Sequence, residues 1–204
     1  MGLESVLSDL DFLSKRNKQN SNNSRRSGKK KLGRFIGSAG GMDSNEYEIA
    51  LIDKGFEYKM PFVLSNGITD TVRRIYKPPL SQEENAKEIF EWCVQNIRYG
   101  NSKRGRKGYR NSLEVFRDRE GVCGEMAALY IVMSRTVGIK GSYVHVRRDN
   151  KNKRVHHACA MIDLPGRYGP VTLVDPAYRT YDIKHESYEP ATDFEIYQNY
   201  KDWT

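Results

Sequence analysis

Apolar residues recur at helical spacing in two segments of the chain. In SQEENAKEIFEWCVQNIRYG, Ser81 and Glu84 have the spacing of a capping box, and one apolar stripe follows them. In REGVCGEMAALYIVMSRTVGIKG, a second stripe starts just after Cys123 and ends before Gly138, a residue type that commonly stops a helix. The pattern predicts two helices, the first with one buried face and the second beginning at or beside Cys123. The stripes are Ala86, Ile89, Phe90, Cys93 and Ile97, then Met126, Ala127, Tyr130, Ile131, Ser134 and Val137.

The apolar period changes to two from Ser142 onward. The segments SYVHVR, VHHACAMIDL and VTLVDPA are rich in Val, Ile, His and Tyr, and the turn segments DNKNK and PGRYGP separate them. This alternation is typical of consecutive antiparallel strands. Helices come first and strands after, without β-α-β alternation. The chain is therefore predicted to be an α+β domain in which a helix packs on an antiparallel sheet.

The first 42 residues follow a different pattern. Residues 1–13 carry apolar side chains at helical spacing and are predicted to form a short amphipathic helix. Residues 14–42 are rich in Ser, Asn, Lys and Arg and hold too little apolar surface to offset the entropy of ordering. They are expected to be a disordered basic linker, and residues 43–204 are expected to form the folded domain.

Positive charge is concentrated in that linker. The chain of 204 residues has a formal net charge of +8, and the stretch from Leu13 to Met42 has nine Lys or Arg and no acidic residue. Residues 15–34 could contact nucleic acid weakly and without sequence preference. They could instead tether residues 1–13 to a protein partner, an interpretation favoured by the lack of aromatic residues among the charges before Phe35.

Cysteine number and apolar run length exclude several classes of protein. The three cysteines are an odd number without paired spacing or a C-x-x-C motif, so neither a disulfide scaffold nor a zinc site is indicated. No metal or other cofactor is expected. No run approaches the roughly 18 to 20 apolar residues of a membrane span, and the N-terminus lacks the order of a secretory signal. A cytoplasmic protein without a membrane span is expected.

Cys123 is the candidate for reactive chemistry. A lone cysteine is more often a small buried hydrophobe, but the N-terminus of a helix favours a thiolate through free N–H groups and partial positive charge. The candidate bases are His156 and His157, at the start of the predicted strand VHHACAMIDL. Adjacent residues of a strand point to opposite faces, so only one of the two can face the thiol. Asp175 ends the strand after that. If these two strands pair, its carboxylate becomes a cross-strand neighbour of the imidazole and can orient it.

The order of these three residues resembles the transglutaminase-like superfamily of papain-like Cys-His-Asp enzymes. A histidine follows Cys123 after 34 residues, and an aspartate follows after another 18. The family has a Gly-x-Cys helix start, a His-Ala-Trp strand and an Asp-Pro strand end. The resemblance covers roughly residues 70–180. The corresponding segments are Gly121-Val122-Cys123, His157-Ala158-Cys159 and Asp175-Pro176.

The resemblance implies a papain-like fold with the nucleophile helix on an antiparallel sheet. It also implies acyl transfer through a thioester, with Cys123 as nucleophile, His157 as general base and acid, and Asp175 as the orienting carboxylate. A protease or an amide or isopeptide hydrolase acting on a peptide or protein is the leading expectation. Amine transfer by a cross-linking transglutaminase, and a non-enzymatic binding module with this fold, remain alternatives.

Several neighbouring residues carry further expectations. Cys159 replaces the family's tryptophan and is expected to fill space beside the site. The second oxyanion donor of such enzymes lies upstream, where three candidates are present. His185 lies past the three motifs in a polar segment and is expected at the surface, and Gly121 and Gly124 are expected to let a substrate approach the sulfur. The oxyanion candidates are Asn96, Trp92 and Tyr99.

Overall fold

A computed structural model of the protein describes residues 60–101 and 109–203. The expected amphipathic helix 1–13, the basic linker 14–42 with its candidate contact stretch 15–34, and the start of the expected domain lie outside the described residues. The elements of the described part are α1 (Asn66–Ile75), α2 (Gln82–Asn96), β1 (Arg98–Tyr99), α3 (Ser112–Asp118), β2 (Glu120–Gly121), α4 (Cys123–Arg135), β3 (Gly141–Arg148), β4 (Arg154–Ile162), β5 (Thr172–Asp175), β6 (Thr180–Tyr181), β7 (Ser187–Ala191) and α5 (Asp193–Trp203).

Helix α2 begins where the sequence predicts. The Glu84 amide donates to Ser81 Oγ at 3.2 Å, and the Ser81 amide donates to Glu84 Oε2 at 2.7 Å, so the capping box is complete. Two N–H groups that the first turn leaves without helical partners are thereby satisfied. The predicted stripe is buried in full: Ala86, Ile89, Phe90, Cys93 and Ile97.

Helix α4 begins at Cys123, as predicted, and it is buried on every side. Its residues from Gly124 to Arg135 are all buried, including positions such as Leu129 and Val132 that lie outside the predicted stripe. A helix that is apolar all round belongs in the centre of a domain. Gly138, at φ +80°, ends the segment in the left-handed region that glycine adopts without strain.

A five-stranded sheet in the order β6-β5-β4-β3-β7 covers α4. β3 pairs with β4 and β4 pairs with β5, both antiparallel, as the consecutive period-two segments predict. α4 packs against β3 and β4, which places its N-terminus beside the central strand β4. The predicted α+β class, with a helix on an antiparallel sheet, is confirmed.

A small second sheet brings the end of α2 to the start of α4. β1 pairs with β2 in parallel, which places Tyr99 opposite Gly121, two residues before Cys123. The Gly100 amide donates to the Gly121 carbonyl at 3.1 Å. None of the helices in the described part of the chain has the length and hydropathy that a membrane crossing requires.

Candidate active site

Cys123 is the first residue of α4, and its surroundings favour the thiolate. Burial by itself would raise the pKa of the thiol, but a hydrogen bond with His157 and the backbone N–H groups of Ala158 and Gly124 outweigh it. The pKa of Cys123 is therefore held below its ordinary value. The partial positive charge of the helix N-terminus acts in the same direction.

His157 links Cys123 to Asp175. Its Nε2 lies 2.6 Å from Asp175 Oδ2, which leaves Nδ1 as the ring nitrogen for the thiol. Burial would lower the pKa of the imidazole, but Asp175 and Cys123 together raise it to about 9. The structure thus brings together the three residues that the sequence analysis selected, on α4, β4 and the end of β5.

The strand register explains how the carboxylate reaches the imidazole. β4 and β5 pair with Ala160 opposite Val174, so one step further Asp175 lies opposite Cys159. Side chains alternate along a strand, so His157 and Cys159 share a face and His157 is the diagonal neighbour of Asp175. The expected cross-strand contact between His157 and Asp175 is therefore present, with the two residues as diagonal and not directly opposite neighbours.

Asp175 is completely buried and accepts three hydrogen bonds. Oδ2 faces Nε2 of both His157, at 2.6 Å, and His185, at 3.0 Å, while Oδ1 accepts from the Tyr178 amide at 2.9 Å. Burial would raise the pKa of this carboxyl, but its hydrogen bonds to the two histidines and to the Tyr178 amide lower it. Asp175 is therefore held as a carboxylate in spite of its burial.

His185 lies inside the site, so the expectation that it is a surface residue was wrong. It is 2% exposed, and its Nε2 contacts the carboxylate that also holds His157. The signal was an alternation in the segment IKHE, where Ile183 and His185 point inward and Lys184 and Glu186 are exposed. Because Ile183 belongs to an apolar cluster with Val144, the residue two positions later faces the same interior.

Tyr178 covers one face of the His157 ring. The two rings stack with centroids 4.4 Å apart and planes inclined by 26°, and Tyr178 is 38% exposed. The tyrosine thus separates the imidazole from solvent on that face. The Tyr178 amide also donates to Asp175 Oδ1, so this residue of the turn after β5 contacts both His157 and Asp175.

A cleft of about 220 Å³ opens beside the cysteine. It runs over β3 and β4, and Cys123 and His157 line it. His156, the neighbouring histidine that the superfamily motif does not align, lines it as well. A substrate in this cleft would contact tyrosine and histidine side chains next to the thiol. The other lining residues are Tyr109, Tyr143, His145, Val146, Arg147, Val155 and Ala158.

Gly124 gives space to a protein side chain. A Cβ at this position would overlap Tyr143 Oη and would lie 3.0 Å from the Tyr109 ring. At Gly121 a Cβ would come within 3.1 Å of Val115 and 3.2 Å of Met126. Both glycines therefore accommodate close internal packing, and the expectation that they leave room for a substrate was wrong.

Gly124→Ala is expected to destabilise the protein by about 1–3 kcal/mol, the usual cost of overpacking a filled interior. Alanine is the better helix former, so helix propensity alone predicts the opposite sign. The free energy of unfolding in urea measures the effect. Adding Tyr143→Phe removes the hydroxyl that the new methyl group meets and should restore part of the loss. A Gly124→Ala protein as stable as the wild type would show that Tyr143 does not occupy this space.

The three oxyanion candidates lie in different environments. Asn96 Nδ2 donates to the Trp92 carbonyl at 2.8 Å within the same helix, and Trp92 stacks on Phe116 with centroids 5.7 Å apart. Tyr99 is paired opposite Gly121 and is 59% exposed. Partial desolvation, followed by the charges of Cys123 and Asp175, raises the pKa of its hydroxyl. Tyr99 is thus the candidate that the fold brings beside the nucleophile.

The group His157, Asp175 and His185 also has the composition of a metal site. Its candidate ligand atoms lie within 4.8 Å of one another. In a tetrahedral zinc site each ligand atom lies about 2.0–2.1 Å from the ion, so two ligand atoms are roughly 3.3 Å apart. His157 Nε2 and Asp175 Oδ2 are closer, at 2.6 Å. That separation is typical of a charge-assisted hydrogen bond. The three residues therefore form a hydrogen-bonded row, and their spacing does not fit a tetrahedral ion.

The sequence profile of the transglutaminase-like superfamily matches residues 69–173, just over half of the chain. The chain belongs to the transglutaminase-like superfamily. The match spans Cys123 and His157 and ends two residues before Asp175. A search of curated protein sequences finds no match.

Two solved structures have a partly similar chain course. A proposed cysteine protease of Cytophaga hutchinsonii matches at 15% identity with a TM-score of 0.49, over 72% of this chain and 48% of that one. LapG of Legionella pneumophila matches at 14% identity with a TM-score of 0.43, over 62% of this chain and 72% of that one. The chain thus spans about half the length of the Cytophaga protein.

Cys159, which the resemblance aligns with a tryptophan, is packed in the interior. Cys159 is completely buried in a cluster with Val144, Val146, Leu173 and Ile183. Burial raises the pKa of its thiol, unlike that of Cys123. The predicted space-filling role agrees with this packing.

Two further residues beside the start of α4 were not predicted from the sequence. Glu125 Oε2 accepts from the Val122 amide at 2.9 Å, which fixes the turn that presents Cys123. Arg110 is buried against Glu125, with Nη2 3.0 Å from Oε2, and it also donates to the Gly100 carbonyl at 3.1 Å. The buried pair therefore ties the segment carrying Tyr99 to the start of α4. Glutamate three residues after the helix N-cap was the available signal.

Proposed function

We propose that this chain is a cysteine-dependent acyl-transfer enzyme that hydrolyses an amide or isopeptide bond of a peptide or protein. The observation that supports this most is the row of Cys123, His157 and Asp175, with a thiol of lowered pKa at a helix N-terminus. Cys123 would be the nucleophile, His157 the general base and acid, and Asp175 the carboxylate that orients the imidazole and stabilises its cation.

The chemistry follows from the positions of the protons. His157 Nδ1 takes the proton of the Cys123 thiol, and the thiolate attacks the carbonyl carbon of the scissile amide. His157 then gives this proton to the leaving amine as the C–N bond breaks, which leaves a thioester on Cys123. Water, deprotonated by the same imidazole, attacks the thioester and releases the acid and the free thiol.

The developing oxyanion requires donors next to the sulfur. The backbone N–H of Cys123 at the start of α4 is one, because the first N–H groups of a helix have no partner within the helix. The Tyr99 hydroxyl is proposed as the second. Its raised pKa keeps the phenol protonated, and therefore able to donate, over the working range of the enzyme.

The ion pair of thiolate and imidazolium defines the pH range of activity. Below the lowered pKa of Cys123 the sulfur is protonated and cannot attack. Above about 9 the imidazole of His157 loses the proton that the leaving amine needs. Turnover should therefore follow a bell-shaped pH profile with its alkaline limb near 9.

Hydrolysis of a peptide library, with Cys123→Ala as the control, tests the proposal. The wild-type protein is expected to cleave a subset of the library, and the variant to cleave none of it. Adding a primary amine such as glycine methyl ester distinguishes the acceptors. Free acid as the main product supports hydrolysis, whereas amide products in excess show the amine transfer of a cross-linking enzyme. Equal results for the wild-type and Cys123→Ala proteins would contradict an enzymatic role and favour a binding module.

A further inference from the structure

Given the acyl-transfer function proposed above, we infer that His185 is a positioning residue for Asp175 and extends the row to Cys123–His157–Asp175–His185. No motif of the superfamily resemblance includes it. It acts through Asp175 and does not itself touch the reacting atoms. Its task is to keep the buried carboxylate ionised and turned toward His157.

The geometry gives His185 a specific partner. Its Nε2 lies 3.0 Å from Asp175 Oδ2, the same oxygen that His157 contacts at 2.6 Å. A carboxylate only accepts, so His185 Nε2 must carry the proton of this hydrogen bond. Nδ1 of the same ring is buried and has no hydrogen-bond partner. The ring is thus oriented by one polar contact, and that contact is to Asp175.

The loop that carries His185 is pinned at both ends. The Ile183 amide donates to the Leu173 carbonyl at 3.1 Å, and the Glu186 amide donates to the Asp149 carbonyl at 3.4 Å. These bonds join the loop to β5 on one side and to the β3–β4 turn on the other. His185 is therefore held in place by the backbone, so that its hydrogen bond can direct Asp175.

The consequence for the thiol follows from the charge of Asp175. A fully buried carboxyl stays ionised only while donors face it, and His185 is one of three. Without this donor the pKa of Asp175 rises, and a neutral carboxyl no longer stabilises the His157 cation. The thiolate of Cys123 then forms at higher pH. The other titratable groups around Asp175 and His185 are Tyr99, Asp149, Cys159 and Tyr178.

Alkylation of Cys123 by iodoacetamide as a function of pH tests the inference without a substrate. His185→Gln places an amide N–H near the position of Nε2, whereas the shorter His185→Asn cannot reach Asp175. His185→Asn is expected to move the acid limb of alkylation to higher pH, with a rate on that limb about three- to tenfold lower. His185→Gln should remain close to the wild type. In an Asp175→Asn background, His185→Asn should have no further effect.

Each result separates the possibilities. An unchanged limb in His185→Asn, equal losses in the Asn and Gln variants, or a loss that persists in the Asp175→Asn background would overturn the positioning role. A wild-type limb at the ordinary cysteine value of about 8.5 would overturn the proposed function itself, and the inference with it. A lowered wild-type limb together with an unaffected His185→Asn protein would overturn the inference alone.

Nitrogen NMR of the wild-type protein tests the hydrogen bond in the unaltered site, and a variant serves only to assign the resonance. The His185 ring is expected to be protonated at Nε2 and bare at Nδ1, with an Nε2–H that exchanges slowly with water. The resonance is assigned by its absence from His185→Gln. Protonation at Nδ1 with a bare Nε2 would remove the proposed hydrogen bond and overturn the inference.

Discussion

Replacing His157 by glutamine is expected to lower turnover by about 10²- to 10⁴-fold, the usual contribution of a positioned general base and acid. The variant loses the group that accepts the thiol proton and returns it to the leaving amine. It also loses the cation that faces the sulfur, so the pKa of Cys123 rises. An ordinary thiol with a pKa of about 8.5 is less than about 1% ionised at about pH 6.

The same variant has a readout that requires no substrate. The rate at which iodoacetamide alkylates Cys123 at about pH 6 should fall about tenfold or more, because few molecules then carry a thiolate. The alkylation rate should not fall further, because the backbone N–H groups of Gly124 and Ala158 still face the sulfur and lower the pKa of Cys123. Cys93 and Cys159 are buried and serve as internal controls in the same digest. Equal alkylation rates in the wild type and His157→Gln would contradict the ion pair.

Replacing Asp175 by asparagine is expected to lower turnover by about 10³- to 10⁴-fold, because an amide cannot hold the imidazole in the required tautomer or balance its cation. The structural reason lies in the number of donors. The side chains of His157 and His185 and the Tyr178 amide all point at the carboxylate. Asparagine offers one acceptor oxygen and turns its own NH₂ group toward one of these donors, which costs about 1–3 kcal/mol of stability.

Asp193→Asn is the matched control for this variant. Asp193 forms two hydrogen bonds with Arg135, at 2.6 and 2.8 Å, away from the cysteine. Its substitution should reduce stability while leaving turnover per folded molecule unchanged. Asp175→Asn should reduce both quantities. Urea unfolding and turnover on a library substrate measure them, and an Asp175→Asn enzyme as fast as Asp193→Asn would contradict the role of the carboxylate.

The parts of the site that the sequence predicted depend on local signals. The start of α4 at Cys123 follows from an apolar run that begins directly after a glycine-flanked cysteine. The pairing of β4 and β5 follows from two period-two segments joined by a turn. Once those strands pair with Ala160 opposite Val174, His157 and Asp175 lie close together, so the pairing and its register account for their contact.

The parts that were missed depend on chain segments meeting at a distance. His185 reaches Asp175 only because the loop after β6 folds back along β5 and the β3–β4 turn. No side chain fits at Gly124 because the hydroxyl of Tyr143, on β3, occupies the space that a Cβ would need. Arg110 meets Glu125 through the segment before α3. No periodicity in the sequence specifies which of these side chains meet.

The full burial of α4 was missed for a different reason. The predicted stripe took one face, but Ala128, Leu129, Val132 and Met133 make the other faces apolar as well. A helix that is apolar all round is typical of a domain centre, so the signal was present in the sequence. The consequence for the site is that the helix carrying Cys123 packs against its neighbours from Gly124 to Arg135.

The ion pair of the Cys123 thiolate and the His157 imidazolium is tested by the ionisation of Cys123 itself. The measurement is the ultraviolet absorbance of the thiolate as a function of pH, taken as the difference between the wild-type protein and Cys123→Ser. We expect one titration step below the value of about 8.5 for a free cysteine, and we expect it at higher pH in His157→Gln. A step at or above about 8.5 that His157→Gln leaves in place would contradict it.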